Sequence, residues 1–180
     1  MCSSDLLIVG GSQFGYITSY LGPSLEGRNV ALAWFFLPAT VAMLACRVVA
    51  MRWLSATHPR HLAAWGLVGC SLSLLAMAYA KEPVLLGVAG VLLGLGNSMM
   101  YPVASAWLGR FAARKDGGAV QAIVATAFYV GIYWTPWPQT FLIARYGYFG
   151  ASLIMAAAGF TGAAALWASR ADGRVEDARA

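Results

Sequence analysis

Two long uncharged runs, residues 83–109 and 117–144, hinge on the short basic segment 110–116. A helix rises about 1.5 Å per residue and a bilayer core is about 30 Å thick, so about 20 apolar residues cross it. Each run exceeds that length. Helices of soluble folds usually keep a polar edge even when mostly buried, and uncharged runs this long rarely fit one. The pair reads as a transmembrane hairpin.

Composition agrees. Of 180 residues, 60% are apolar and 11% charged, against about 25% charged in a soluble domain, and the mean hydropathy is +0.67. Four further apolar segments fall at 6–22 (closing at Pro23), 29–46, 62–80 and 146–169. The fold expected is all-α, a polytopic membrane protein of six transmembrane helices. Residues 1–6 lack hydrophobic periodicity and, taken as codons with a GTG start, match the end of a sequencing adapter. They read as a non-native scar, on a chain that has lost its natural beginning. Residues 7–169 then form the transmembrane domain and 170–180 a charged tail.

Lys and Arg set the orientation. Nine lie on one side: Arg47, Arg52, Arg60, Arg110, Arg114, Lys115, Arg170, Arg174 and Arg179. Three lie on the other: Arg28, Lys81 and Arg145. The richer side is expected to be cytoplasmic, with both termini there. This bias accounts for the net charge of +5 without a nucleic-acid partner. All seven carboxylates, from Asp5 to Asp177, fall outside the spans. A charge at mid-bilayer costs about 2.5–3.5 kcal/mol on insertion scales, so no embedded acid stands as a proton carrier. Cys2, Cys46 and Cys70 have neither disulfide-framework nor metal-cage spacing. His58 and His61 lack a second ligand pair, and no phosphate-binding G-x-x-x-x-G-K-[ST] loop occurs. A rhomboid-type serine and its helix-borne histidine are also absent. The chain therefore reads as neither an enzyme nor an ATP-driven motor, with no metal and no cofactor.

Three motifs carry a resemblance. Arg47, Arg52 and Arg60 follow the second span at the positions of a glycine- and arginine-rich loop, R-x-x-G-G-R-x-x-D-R-x-G-R-R; its glycines are Ala50 and Met51 here, and its acid is Ser55. The fourth span holds Gly96-Asn-Ser-Met-Met-Tyr101-Pro102, like a G-x-x-x-x-Y-P element. Arg145-Tyr-Gly-Tyr-Phe-Gly150 precedes the last span, like an R-x-G-Y turn. In order and spacing, the chain from 7 to 169 resembles the C-terminal six-helix half of a major facilitator superfamily transporter. The resemblance implies two three-helix repeats and secondary active transport of a small organic solute by alternating access, of the efflux-permease type. It also implies a bacterial inner (plasma) membrane location and, as partners, membrane lipid, the solute and a missing N-terminal half of the same protein. A six-span scaffold or accessory protein without transport is the alternative.

The superfamily places its cavity between the halves, lined here by the first, second, fourth and fifth spans; transporter sites in general lie near the midplane. Counting to mid-depth gives Gln13 with Tyr16 and Tyr20 on one face. A buried amide needs partners, and either the solute or a neighbouring helix supplies them. The fourth span offers Asn97, Ser98 and Tyr101. Pro102 frees the carbonyl of Ser98 and kinks the helix, as a gate or as a structural bend. The fifth offers Tyr129 and Tyr133. Beyond them, Trp134, Pro136, Trp137, Pro138 and Gln139 read as an aromatic gate or as an interfacial belt. Gly11 and Gly15, and Gly87, Gly90 and Gly94, form small-residue stripes for close helix approach, with a flexing helix as the alternative. Arg47 either snorkels to the interface or holds an anionic solute.

Overall fold

The computed structural model describes residues 3–26, 30–54, 59–109 and 117–168. Among them are six helices and no strand: α1 (Ser3–Ser24), α2 (Ala33–Leu54), α3 (Pro59–Tyr79), α4 (Pro83–Gly109), α5 (Gly117–Trp134) and α6 (Pro136–Ala168). By length and composition, His61–Tyr79, Pro83–Met100 and Gly117–Ala168 are long and apolar enough to cross a membrane, and Ala33–Val49 is a shorter apolar helix.

Helix α2 shows why such a chain belongs in lipid. Phe35, Ala39, Ala42 and Cys46 are buried, while Trp34, Leu37, Val41, Leu44 and Val48 form an exposed stripe at alternating spacings of three and four. Both faces are apolar. In water the outer face would be a penalty; in hydrocarbon it is the ordinary surface. The helix continues past Arg47 to Leu54, further than the apolar run 29–46 suggests. A long basic side chain can reach the interface, so a span need not end where its charge appears. Helix α1 similarly takes Pro23 into its last turn.

Two buried clusters show the course of the chain. One joins Leu7 at the start of α1, Ala63 and Ala64 near the start of α3, Met100 and Val103 late in α4, Val124 in early α5 and Leu166 near the end of α6. The other joins Leu21 and Leu25 at the end of α1, Phe35 at the start of α2, Leu74 and Met77 late in α3, Leu86 in early α4, and Ala151 in α6. Helices α1, α3, α4 and α6 each place residues in both clusters, so α1 and α3 run one way, and α4 and the part of α6 beyond Ala151 the other.

The 52-residue apolar stretch Gly117–Ala168 would measure about 78 Å if straight, more than twice the bilayer core. It is divided twice. At Thr135 the helix steps into a turn: Pro136 has no N–H for the carbonyl of Ile132, and the Thr135 hydroxyl donates to Gly131 O. At Gly147 (φ 68°, ψ 176°) the helical path is broken. This backbone region is open almost only to glycine. The chain folds back there. Gln139 Nε2 lies 3.8 Å from Met155 Sδ, whereas sixteen helical residues span about 24 Å. The break falls inside the 145–150 motif, at the second residue of the segment read as the sixth span.

Glycine sets the closest helix approaches. A Cβ on Gly96 would lie 2.6 Å from Gly66 O, and one on Gly66 2.9 Å from Gly96 O, so α3 and α4 cross backbone to backbone. The stripe Gly11 and Gly15 meets the backbone of α5 at Phe128 and Ile132, and Gly90 and Gly94 meet that of α2 at Phe35 and Ala39. Gly87 makes only ordinary contact, 3.5 Å from Trp34 O.

Candidate functional site

A cleft of about 120 Å³ opens among α1, α2 and α4, lined by Phe14, Phe36, Ala39, Thr40, Met43, Leu93, Gly94 and Asn97. The absent side chain at Gly94 lets the Ala39 backbone approach, and Thr40 and Asn97 both join the lining. The Thr40 hydroxyl donates to Phe36 O at 2.8 Å, holding it along α2. Its proton is used, so towards the cleft it offers lone pairs. Asn97 Oδ1 is buried and has no hydrogen-bond partner. Among the described residues, no charged side chain lines the cleft. The lining therefore places one hydroxyl and one amide on an apolar, partly aromatic wall. It suits a small, largely apolar group able to hydrogen-bond with an amide and a hydroxyl.

Phe14 links this wall to α5: its ring lies 6.4 Å from Phe128, whose ring is 6.2 Å from Tyr129. Tyr129 and Tyr133 are exposed and stacked, 6.1 Å apart at 19°. With Ala122, Ala125, Thr126, Val130 and Trp134 they form an open groove of about 450 Å³. Trp137 and Phe141 are also exposed and meet edge to face, 5.6 Å apart. A second groove, of about 310 Å³ between α3 and α4, has an apolar lining that includes Trp65, Leu72, Leu95 and Met99.

The other sequence candidates separate from this cleft. Gln13 is fully buried, and its Nε2 donates to Ser71 Oγ at 2.9 Å and to Met155 O at 3.2 Å. Of the two partners expected for it, neighbouring helices hold it here. Tyr16 is also fully buried; its hydroxyl lies 3.0 Å from both Tyr148 O and Ser152 Oγ. The Tyr20 hydroxyl donates to Pro136 O at 2.7 Å and lies 2.8 Å from Thr140 Oγ1. The face Gln13–Tyr16–Tyr20 thus laces α1 to α3 and to both limbs of α6. Ser98 turns back onto Leu95 O at 2.8 Å. Pro102 is half-buried within an α4 that continues to Gly109. Arg47 is exposed on α2. The side chains of Arg52, Arg60 and Tyr101 lie outside the described residues, as do His58, the loop 110–116 and the tail 170–180.

A family model described as the Major Facilitator Superfamily matches residues 7–179. The chain belongs to the major facilitator superfamily. No curated protein and no solved structure matches it significantly. As a superfamily member it falls among membrane transporters of small solutes, and its apolar helices agree with a membrane protein. Phe14, Phe36, Ala39, Thr40, Met43 and Leu93 are the cleft residues that sequence reasoning passed over. Thr40 had a signal, since it is the one hydroxyl in residues 30–46. The aromatic and Met positions had none, because apolar residues occupy every face of these helices.

Proposed function

We propose that this chain is the C-terminal half of a secondary transporter that moves a small organic solute by alternating access. The observation that carries the reading is the orphaned acceptor Asn97 Oδ1 in an uncharged cleft between three helices. A buried acceptor without a partner costs about 1–3 kcal/mol. A solute carrying an N–H or O–H would recover that on binding. Asn97 and Thr40 then recognise the donor, Phe14 and Phe36 pack on its apolar body, and Tyr129 and Tyr133 continue the wall. An N-terminal half would supply the facing wall. Gln13, Tyr16 and Tyr20 act in this reading as ties between helices. The Pro102 region of α4 and the Thr135–Pro136 step are the places where a gate can bend. The bundle spans the bacterial inner membrane six times, the arginine-rich ends lie in the cytoplasm, and transport runs outward.

Cysteine accessibility in native membranes tests this reading. Cys46 and Cys70 are buried; they and Cys2 are first replaced by Ala. Thr40→Cys faces the cleft, whereas Val41→Cys lies on the exposed stripe of α2, at 60% exposure. Maleimide reacts with thiolate, which forms in water and not in hydrocarbon. The expected result is fast labelling of Thr40→Cys by a membrane-impermeant maleimide and none of Val41→Cys. Protection of both positions from both sides of the membrane would refute a solute pathway and favour the accessory-protein alternative.

A further inference from the structure

Away from the cleft, two glutamines from distant parts of the chain converge. Gln13 on α1 is 0% exposed and Gln139 on the first limb of α6 is 2% exposed. Both reach Met155, on the second limb: Gln13 Nε2 donates to its carbonyl at 3.2 Å, and Gln139 Nε2 lies 3.8 Å from its Sδ. Gln139 Nε2 also donates to Ser12 O at 3.1 Å, and Gln13 Nε2 to Ser71 Oγ at 2.9 Å. The far side of each amide is unmatched. Gln13 Oε1 and Gln139 Oε1 are both buried without a hydrogen-bond partner.

These orphans cannot be removed by turning the amides over. A flipped Gln13 would aim its oxygen at Met155 O, and a flipped Gln139 would aim its oxygen at Ser12 O, acceptor against acceptor. Nor do the surrounding hydroxyls have protons to spare. Ser12 donates to Val9 O, Ser71 to Leu67 O and Ser152 to Tyr148 O. The room for this cluster comes from Gly159, where a Cβ would collide with Gln13 Nε2 and Ser71 Oγ.

We propose that Gln13 Oε1 and Gln139 Oε1 each accept a hydrogen bond from internal water, making the junction of α1, α3 and both limbs of α6 a hydrated joint within the membrane. Buried waters occupy sites of this kind, where polar groups are left unsatisfied and no side chain reaches them. The two acceptors are neutral amides, and the side chains that bond to them are uncharged. Each acceptor suits a neutral donor, not a dehydrated cation, whose lost hydration an amide oxygen does not offset. The joint is independent of the solute cleft and of the transport reading.

The test uses the full chain in lipid bilayers, labelled with [15N,13C]glutamine. The sequence holds three glutamines, Gln13, Gln121 and Gln139, and Gln121 is exposed. A Gln121→Asn variant identifies that reference signal without touching the joint. Water-edited solid-state NMR then measures magnetisation transfer from water to the side-chain amides. The expected result is transfer to both buried amides within about twofold of the hydration-exposed backbone amides of the interfacial ends. Transfer to either one at least tenfold slower overturns the proposal. Repeating the measurement in sodium chloride and in choline chloride should leave both side-chain carbonyl shifts unchanged. A sodium-dependent shift would overturn it in favour of a cation.

Discussion

Gly96→Ala probes the backbone-to-backbone crossing of α3 and α4. The added Cβ would meet Gly66 O at 2.6 Å, which is 0.8 Å inside the 3.4 Å at which ordinary contact begins, and Cys70 N at 2.7 Å. Both obstacles are backbone atoms or fixed to the backbone of α3, so no side chain can swing away. The helices must separate by most of an ångström, and a gap of that size forfeits about a quarter to a half of each affected dispersion contact. Overpacking of this kind costs about 1–3 kcal/mol. The better helix propensity of Ala returns up to about 1 kcal/mol, for a net destabilisation of about 1–2 kcal/mol. For a chain of this size that is a fall of about 2–8 °C in Tm. Thermal unfolding of the purified full chain in mild detergent, read as loss of the monodisperse peak in fluorescence-detected size exclusion, measures it. Gly118→Ala is the control. Nothing lies within 4 Å of its Cβ position, so its Tm should hold or rise. If Gly96→Ala matches or exceeds the wild type while Gly118→Ala does not fall, the claim that α3 and α4 cross on their backbones is wrong.

Tyr16→Phe removes a buried hydroxyl 3.0 Å from Tyr148 O and Ser152 Oγ; a loss of about 1 kcal/mol is expected, and an unchanged unfolding midpoint would show that this tie contributes nothing. Gly147→Ala forces an L side chain into the φ 68°, ψ 176° turn, at a cost of about 1–3 kcal/mol; the same thermal assay should show a clear fall although nothing lies within 4 Å of the new Cβ, and a neutral result would mean that the turn adopts another backbone path.

The run lengths at 83–109 and 117–144, the placement of every carboxylate outside the apolar segments and the turn at 145–150 were all legible from the sequence. These features depend on local chemistry: hydrocarbon rejects charge over any stretch long enough to span it, and one glycine opens a backbone region closed to its neighbours. The glycine stripe of α1 was legible for the same reason, because a missing side chain marks where a backbone can approach. What the sequence could not decide was direction around each helix axis. In a soluble helix the polar face points outward and the rest follows; in α2, Phe35 and Val41 have the same chemistry, yet one is core and the other is surface. Gln13 and Asn97 were equal candidates as mid-depth amides. Only tertiary packing separates them: Gly159 clears a space in which Gln13 reaches Ser71 and Met155, whereas Asn97 Oδ1 is left at the cleft without a partner. Gln139 likewise stood in an aromatic cluster by sequence, and it became half of a buried amide pair only when the chain folded back at Gly147 and brought Met155 to it.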